Sequence, residues 1–325
     1  MPVLDEFYFD SCSCKNQIYV RQWIPDGEIA GIVQLCHGIG EYIERYDDLA
    51  QYLAERGYVV AGEDHLGHGR SAADHSELGY VGETEGWDLM VGDMRKLYER
   101  LRGMYSGKPH FILGHSMGSF LTRTYIIRYH DGPDGVILSG TGHQPKLLLH
   151  VAAAMAKFSV GKKGGSFHNS LLNSLAFGSY NKRIPQSSGE YDWLSRDTAV
   201  VKAYEEDPLC GPVPTSGLFY AMFNGLKEIT SVNNIVRVNK DLPIYLYAGD
   251  ADPVGGYGKG VRKTYDEYLR AGVKDVTLKL YEGARHECHN ELCRADVYSD
   301  VLAWLEKHSL DHTAVNKNDT EQKIL

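Results

Sequence analysis

The turn Gly114–Gly118, which reads Gly-His-Ser-Met-Gly, constrains the fold of this chain more than any other segment. It follows the apolar run Phe111–Leu113 and precedes a helical pattern that includes Phe120, the order of strand, tight turn and helix. A serine in so tight a turn adopts strained backbone geometry, and the glycines on either side relieve the crowding. The turn lifts the Ser116 hydroxyl out of the sheet and aims the Met117 N–H at the group it attacks. The sequence therefore predicts a nucleophile at Ser116, the competing interpretation being a small polar residue in a glycine turn.

Composition is that of a globular protein and argues against several classes of partner. At 325 residues the chain exceeds the usual domain of roughly 150 residues, yet one large α/β domain accommodates it. Hydrophobic residues make up 43% and charged residues 24%, enough for a sizeable core. A net charge of −9 and a pI of about 5.9 argue against nucleic acid and against firm binding to anionic membranes.

The amino terminus and the cysteines indicate a cytosolic protein. The first ten residues lack the basic and apolar regions of a signal peptide. The longest apolar stretch, Leu147–Phe158, falls short of the about 20 residues of a membrane span. It is interpreted as packing under a cap or as an apolar rim through which a lipid tail enters. The cysteines lack framework spacing and are expected to be reduced; they are Cys12, Cys14, Cys36, Cys210, Cys288 and Cys293.

Strand-like and helix-like segments alternate along most of the chain. The first two strands, Glu6–Asp10 and Gln17–Trp23, alternate in polarity and predict an antiparallel hairpin. The later strands are short and continuously apolar, which is typical of a sheet buried on both faces. We therefore predict an α/β fold with a mostly parallel eight-stranded sheet flanked by helices. The other six strands are Gly31–Cys36, Tyr58–Glu63, His110–Leu113, Gly135–Ser139, Ile244–Ala248 and Val276–Tyr281.

The alternation of strands and helices stops between residues 142 and 239. This interval carries apolar helices, a glycine-rich segment and several proline turns. We interpret it as a helical cap, or lid, inserted at one end of the sheet. The predicted organisation is a first core part at 1–141, the cap at 142–239, a second core part at 240–310 and a disordered tail at 311–325.

A serine nucleophile needs a base, and the base needs a group that orients it. In this topology an acid and then a histidine follow the serine, each just past a strand. Asp250 and Asp252 compete for the acid role, and Asp252 is favoured because it lies deeper in its loop and precedes a stiffening proline. His286 and His289 compete for the base, and His286 is favoured because it lies three residues after the glycine that ends its strand.

An oxyanion forms during attack on a carbonyl, and two preorganised N–H groups would stabilise it. The N–H of Met117 is the first candidate. The loop after the strand Gly31–Cys36 reads His-Gly-Ile-Gly, and the N–H of Ile39 is the second candidate. His37 in the same loop resembles a catalytic base, but a histidine there more often braces the loop.

Four loops of the chain resemble those of α/β-hydrolases in order and spacing. They are His37–Glu41, Asp64–Ser71, Gly114–Gly118 and Gly283–His286, and the resemblance runs from Phe9 to Glu306. More narrowly, the chain is similar to the monoacylglycerol lipase and lysophospholipase branch, among serine aminopeptidase-like hydrolases. The resemblance implies the α/β-hydrolase fold, a triad of Ser116, Asp252 and His286, and an oxyanion hole made by Ile39 and Met117.

The same resemblance implies a set of residues near the alcohol end of an acyl ester. In this branch, polar residues that match Glu41, Arg45 and His289 take that position. Ser119 departs from the family pattern, which usually has a further glycine there. The cap before Arg183 shows no clear match, so the acyl-chain preference is not carried over.

Taken together, these patterns predict a serine hydrolase that cleaves carboxylic esters through an acyl-enzyme. The expected substrates are single-chain lipid esters, monoacylglycerol or lysophospholipid, with at most transient membrane contact through the cap. No metal or organic cofactor is expected, because the serine mechanism requires none. His65 and His68 have metal-like spacing but fit a tight loop better than a metal site. The alternatives are a short-chain carboxylesterase, an aminopeptidase or a non-catalytic small-ligand sensor of the same fold. Acyl transfer to an acceptor other than water and the oligomeric state stay open.

Overall fold

One sheet of eight strands organises the computed structural model, which describes residues 1–185, 187 and 189–322, with side chains through residue 310. The strands are β1 (Val3–Asp10), β2 (Gln17–Ile24), β3 (Gly31–Cys36), β4 (Tyr58–Glu63), β5 (His110–His115), β6 (Gly135–Ser139), β7 (Ile244–Gly249) and β8 (Val276–Tyr281). Their order across the sheet is β1-β2-β4-β3-β5-β6-β7-β8. The pairs β1–β2 and β2–β4 are antiparallel and all other pairs are parallel. The predicted mostly parallel sheet is confirmed, including its antiparallel first hairpin.

Helices cover both faces of this sheet. They are α1 (Asp47–Ala54), α2 (Gly86–Met104), α3 (Met117–Arg128), α4 (Lys146–Lys163), α5 (Ser170–Phe177), α6 (Thr198–Glu206), α7 (Ser216–Ile229), α8 (Val232–Ile235), α9 (Lys259–Arg270) and α10 (Arg294–Gln322). Helix α6 was not predicted, because only two of its side chains, Val201 and Tyr204, are buried. Its start is stabilised by the Asp197 carboxylate, which accepts the Ala199 N–H at 3.1 Å.

The side chains of β5 point alternately to the two faces of the sheet, and both faces are buried, so the strand is apolar throughout. Phe111 and Leu113 pack towards α1 and α10, whereas Ile112 packs towards α2 and α3. All three side chains are fully buried. Each such side chain contributes about 1.5–3 kcal/mol when it leaves water. Burial on both faces therefore holds β5 rigidly in the centre of the sheet, and Ser116 follows directly at its end.

The carboxyl ends of the parallel strands meet at one edge of the sheet. Ile39 follows β3, Ser116 follows β5, Asp252 follows β7 and His286 follows β8. Loops at this edge are where open α/β sheets collect their functional groups. The strand order thus brings these four loops to one edge of the sheet, with only the loop after β6 between those of β5 and β7.

In the interval that we propose as the cap, residues 142–239, the described residues form helices α4 to α8. Helix α4 packs along α7 through Leu149, Ala153 and Ala156, which are buried. The rest of its apolar surface faces outward, with Leu147 79% and Phe158 69% exposed. The stretch therefore both packs within the cap and forms an apolar outer face. No helix among the described residues is long and apolar enough to cross a bilayer.

The disordered tail predicted at 311–325 stays a prediction. Helix α10 runs through Gln322, its side chains are described only through residue 310, and residues 323–325 lie outside the described part. The first turns of α10 pack on the sheet through Val297, Val301 and Leu305.

Candidate active site

Ser116 occupies a strained turn between β5 and α3. Its φ is +51° and its ψ is −119°, and it is one of three non-glycine residues with positive φ in the described part of the chain. Such conformations cost about 1–3 kcal/mol and persist only where the surroundings impose them. Its N–H donates to the Ser139 carbonyl oxygen at 2.9 Å. A Cβ on Gly118 would lie 1.9 Å from the Cys36 carbonyl oxygen, so only glycine fits there.

The structure brings Asp252, and not Asp250, to His286. Asp252 Oδ2 lies 3.0 Å from His286 Nδ1, and its other oxygen accepts the Val254 N–H at 2.8 Å. A carboxylate only accepts, so Nδ1 carries the proton and Nε2 is free to act as a base. Asp252 and His286 are both buried. Asp250 is exposed and accepts the Gly283 N–H at 2.7 Å, as a turn-forming residue does.

Burial and charge act in opposite directions on the pKa of His286. Burial is the largest influence and lowers this pKa, because it disfavours the charged imidazolium. The negative charge and hydrogen bond of Asp252, with smaller contributions from Glu287 and Glu41, outweigh burial. The pKa of His286 is therefore raised above its ordinary value, which suits a group that takes up a proton during reaction.

His286 and Ser116 line the same cavity. Gly140 follows Ser139, whose carbonyl oxygen accepts the Ser116 N–H. A Cβ on Gly140 would lie 2.9 Å from His286 Cε1. Within the described residues, Ser116 Oγ makes no hydrogen bond with His286. Catalytic hydrogen bonds are often long in unliganded enzymes and shorten when substrate binds.

Ile39 lines the cavity, whereas Met117, the residue after Ser116, is buried and is not among the described lining residues. Among the described residues, the backbone N–H of neither one donates a hydrogen bond to the protein. Met117 is the first residue of α3, so its N–H has no acceptor within the helix. The positive end of the α3 dipole also favours an anion there. A Cβ on Gly38 would lie 3.1 Å from Ser116 Cβ, which shows how closely the loop of Ile39 approaches the serine.

His37 braces the loop after β3, as predicted. Its Nδ1 donates to the Gly38 carbonyl oxygen at 2.7 Å, and its Nε2 accepts the His65 N–H at 2.9 Å. Burial lowers its pKa well below the ordinary value, so the ring is neutral. His65 and His68 pack against this ring, with centroid distances of 4.2 and 5.3 Å. The described residues hold no group of three or more ligands that could bind a metal ion.

The three residues predicted near an alcohol group take different places. Glu41 lines the cavity, whereas Arg45 lies behind it and bonds to Glu41 and Glu287. His289 is fully buried and stacks on Tyr46 with a centroid distance of 4.6 Å. Neither Arg45 nor His289 is among the described residues that line the cavity. The alcohol-binding role of the three stays a prediction.

The cavity above Ser116 has a volume of about 260 Å³ and is roofed by the proposed cap. Pockets for drug-sized ligands are usually about 300–1,000 Å³, so this one is small. Its cap side combines aromatic and polar groups. They are Phe177, Tyr191, Trp193, Asn173, Asn181 and Glu190.

Comparison with known proteins identifies the family. The family model described as serine aminopeptidase, S33, matches residues 27–293. This chain belongs to that family. A monoacylglycerol lipase of Mycolicibacterium smegmatis is 31% identical over 294 residues, which cover 88% of this chain and 91% of the relative. The human monoglyceride lipase is 27% identical over 299 residues, covering 90% and 88% respectively.

Solved structures agree with this assignment. A carboxyl esterase from Bacillus coagulans, solved in complex with glycerol, superposes with a TM-score of 0.87 at 29% identity. The superposition covers 94% of this chain and 99% of the esterase. This chain therefore has the α/β-hydrolase fold that its loops predicted.

Sequence reasoning missed one buried charged residue of this S33 site, Glu287. It follows His286 directly, lines the cavity and binds Arg45 through both carboxylate oxygens. No motif marks it. The only signal was its adjacency to the predicted base.

Proposed function

We propose that this ester hydrolase acts on esters of single-chain lipids, such as monoacylglycerol or lysophospholipid, with Ser116 as its nucleophile. One observation carries the proposal. His286, with its Nδ1 3.0 Å from Oδ2 of the buried Asp252, lines the same cavity as the strained Ser116. Such an arrangement supports the Ser-His-Asp mechanism.

The proposed mechanism runs through an acyl-enzyme. Ser116 Oγ attacks the ester carbonyl carbon while His286 Nε2 takes the hydroxyl proton. Asp252 keeps the imidazole in the required tautomer and stabilises the imidazolium. The N–H groups of Ile39 and Met117 stabilise the oxyanion. His286 then protonates the departing alcohol, and water repeats the same steps to release the acid.

Two relatives support a lipid ester as the substrate. The Mycolicibacterium and human proteins carry the names monoacylglycerol lipase and monoglyceride lipase. The structure of the Bacillus esterase contains glycerol, the alcohol that hydrolysis of a monoacylglycerol releases. The cavity volume of about 260 Å³ favours a second candidate, a carboxylesterase for short acyl chains. Chain-length preference separates the two.

A series of p-nitrophenyl esters from acetyl to palmitoyl tests the proposal. We expect kcat/KM to peak at medium or long chains, with octanoyl at least about tenfold above butyryl, because each buried CH₂ contributes about 0.8 kcal/mol. Alanine p-nitroanilide serves as the aminopeptidase control and should not be cleaved. A peak at acetyl or butyryl would favour the short-chain esterase. Absence of turnover by folded protein at every length would favour the ligand sensor.

We also propose that the cap makes transient contact with a lipid surface. Helices α4 and α5 carry a group of exposed apolar side chains, and Phe177 at the end of α5 lines the cavity. An apolar face beside the entrance to a lipid site is typical of interfacial contact. The exposed residues are Leu147, Leu148, Val151, Met155, Phe158, Leu171 and Leu175.

Vesicle binding tests the apolar cap face. Leu147→Ser combined with Phe158→Ser should weaken sedimentation with phosphatidylcholine vesicles by about tenfold, since a large apolar side chain contributes about 1.5–3 kcal/mol on full burial. Hydrolysis of soluble p-nitrophenyl butyrate should not change. Leu310→Ser, at a similarly exposed leucine on α10, is the matched control. Equal vesicle binding by all three proteins would contradict the contact.

A further inference from the structure

Arg45 joins two buried carboxylates from distant parts of the chain. Its Nη1 donates to Glu41 Oε2 at 2.7 Å and to Glu287 Oε1 at 2.7 Å. Its Nη2 donates to Glu287 Oε2, also at 2.7 Å, so the contact with Glu287 is bidentate. The side chains are 10%, 3% and 2% exposed for Arg45, Glu41 and Glu287. This is a nearly dry ion-pair triad at the back of the cavity.

Each carboxylate of the triad is attached to a different loop of the proposed catalytic apparatus. Glu41 Oε1 accepts the N–H of Gly38 at 2.6 Å, immediately before Ile39. Glu287 follows His286 in the chain, and its Oε2 also accepts from Asn290 Nδ2 at 3.1 Å. The triad therefore connects the backbone of the oxyanion loop with the residue beside the base.

We propose that Arg45 and Glu287 form a clamp that holds the oxyanion loop, residues 38–41, against the loop of His286. In this clamp Glu287 is a positioning residue for ester hydrolysis. The inference rests on the function proposed above for Ser116, His286 and Ile39.

Stability alone does not account for such a clamp. Taking three charges out of water is costly, and an apolar cluster of similar volume often stabilises a fold equally well or better. A guanidinium that binds a carboxylate through two parallel bonds instead fixes direction as well as distance. Positioning matters for catalysis, because a displacement of about 1 Å costs about 100-fold in rate.

Residues of the proposed cap contact the clamp and both of the loops that it joins. The Tyr204 ring lies under the Arg45 guanidinium at 4.7 Å, and its hydroxyl donates to the Gly40 carbonyl oxygen at 2.8 Å. On the other side, the Glu287 N–H donates to the Leu194 carbonyl oxygen at 2.8 Å. Both loops are therefore held by the clamp from behind and by cap residues from above.

Glu287 also acts electrostatically on His286. Burial lowers the pKa of His286, and the nearby carboxylates raise it. Removing the negative charge of Glu287 should therefore lower this pKa. The acid limb of the pH–rate profile then moves to lower pH, because His286 stays neutral, and able to act as a base, down to a lower pH. Among the described residues, the ionisable groups that face His286 include Asp252, Glu41, Glu287, His115 and His289.

Two substitutions separate geometry from charge. Glu287→Gln keeps the shape but removes one charge; we expect kcat for a p-nitrophenyl ester to fall about 10- to 100-fold, with KM within about twofold. The His286 pKa, followed by NMR titration of the free enzyme, should decrease. Arg45→Lys keeps the charge but cannot bind in the bidentate mode, so kcat should fall about tenfold with little change in that pKa.

A surface pair of the same chemistry provides the control. Arg95 binds Asp131 through both carboxylate oxygens, at 3.1 and 2.9 Å, on an exposed face. Asp131→Asn should leave kcat and the His286 pKa at wild-type values. Wild-type kcat in both Glu287→Gln and Arg45→Lys would overturn the clamp while leaving the proposed function intact. If Glu287→Gln does not fold, Arg45→Lys decides alone. Wild-type enzyme that turns over no ester would overturn the proposed function and the clamp together.

Discussion

Ser116→Ala is expected to lower kcat/KM for p-nitrophenyl esters by about 10⁴- to 10⁶-fold. Without the hydroxyl no acyl-enzyme forms, and only substrate binding and the oxyanion N–H groups remain to assist water. Labelling by a fluorophosphonate probe should be abolished as well. Initial rates and labelling intensity, each compared with wild-type protein, check the result.

A matched serine distinguishes this effect from a general loss of structure. Ser76→Ala changes the same side chain in an exposed turn, where the Ser76 hydroxyl bonds only to Asp74 among the described residues. It should retain full activity and full labelling. Thermal unfolding of Ser116→Ala should match wild type, because alanine accepts the same backbone geometry. Residual activity close to wild type in folded Ser116→Ala would place the nucleophile elsewhere.

Asp252→Asn is expected to lower kcat by about 10⁴-fold. An asparagine amide can donate to His286 Nδ1, which favours the tautomer whose Nε2 carries the proton and cannot act as a base. It also leaves the imidazolium without its counter-charge. Steady-state rates across pH measure the loss.

Asp250→Asn is the natural control, two residues away in the same loop. Asp250 is exposed, and among the described residues its carboxylate bonds only to the Gly283 N–H, so its variant should keep kcat within about threefold of wild type. A large loss in Asp250→Asn with little loss in Asp252→Asn would reverse the two roles. Similar large losses in both would point to collapse of the loop.

The sequence by itself determined the sheet and the turn at Ser116, because both follow from local physics. Strands buried on two faces must be apolar at every position, as Phe111–Leu113 are. A tight turn that leaves no room for a Cβ must have glycine, as at Gly118. These constraints act between neighbours in the chain, so residue types and spacing are sufficient to predict them.

Only the tertiary structure shows which aspartate contacts the histidine and that Arg45 contacts Glu287. Asp250 and Asp252 share one loop, and the sequence favours Asp252 from its place in that loop. The contact itself joins Asp252 to His286, 34 residues further along the chain. Arg45 and Glu287 are separated by 242 residues and meet only after the sheet has brought the ends of β3 and β8 to one edge. Helix α6 likewise owes its place to contacts such as that of Tyr204 with Gly40. Contacts between such distant residues depend on how the whole chain packs, and no pattern within a single segment encodes them.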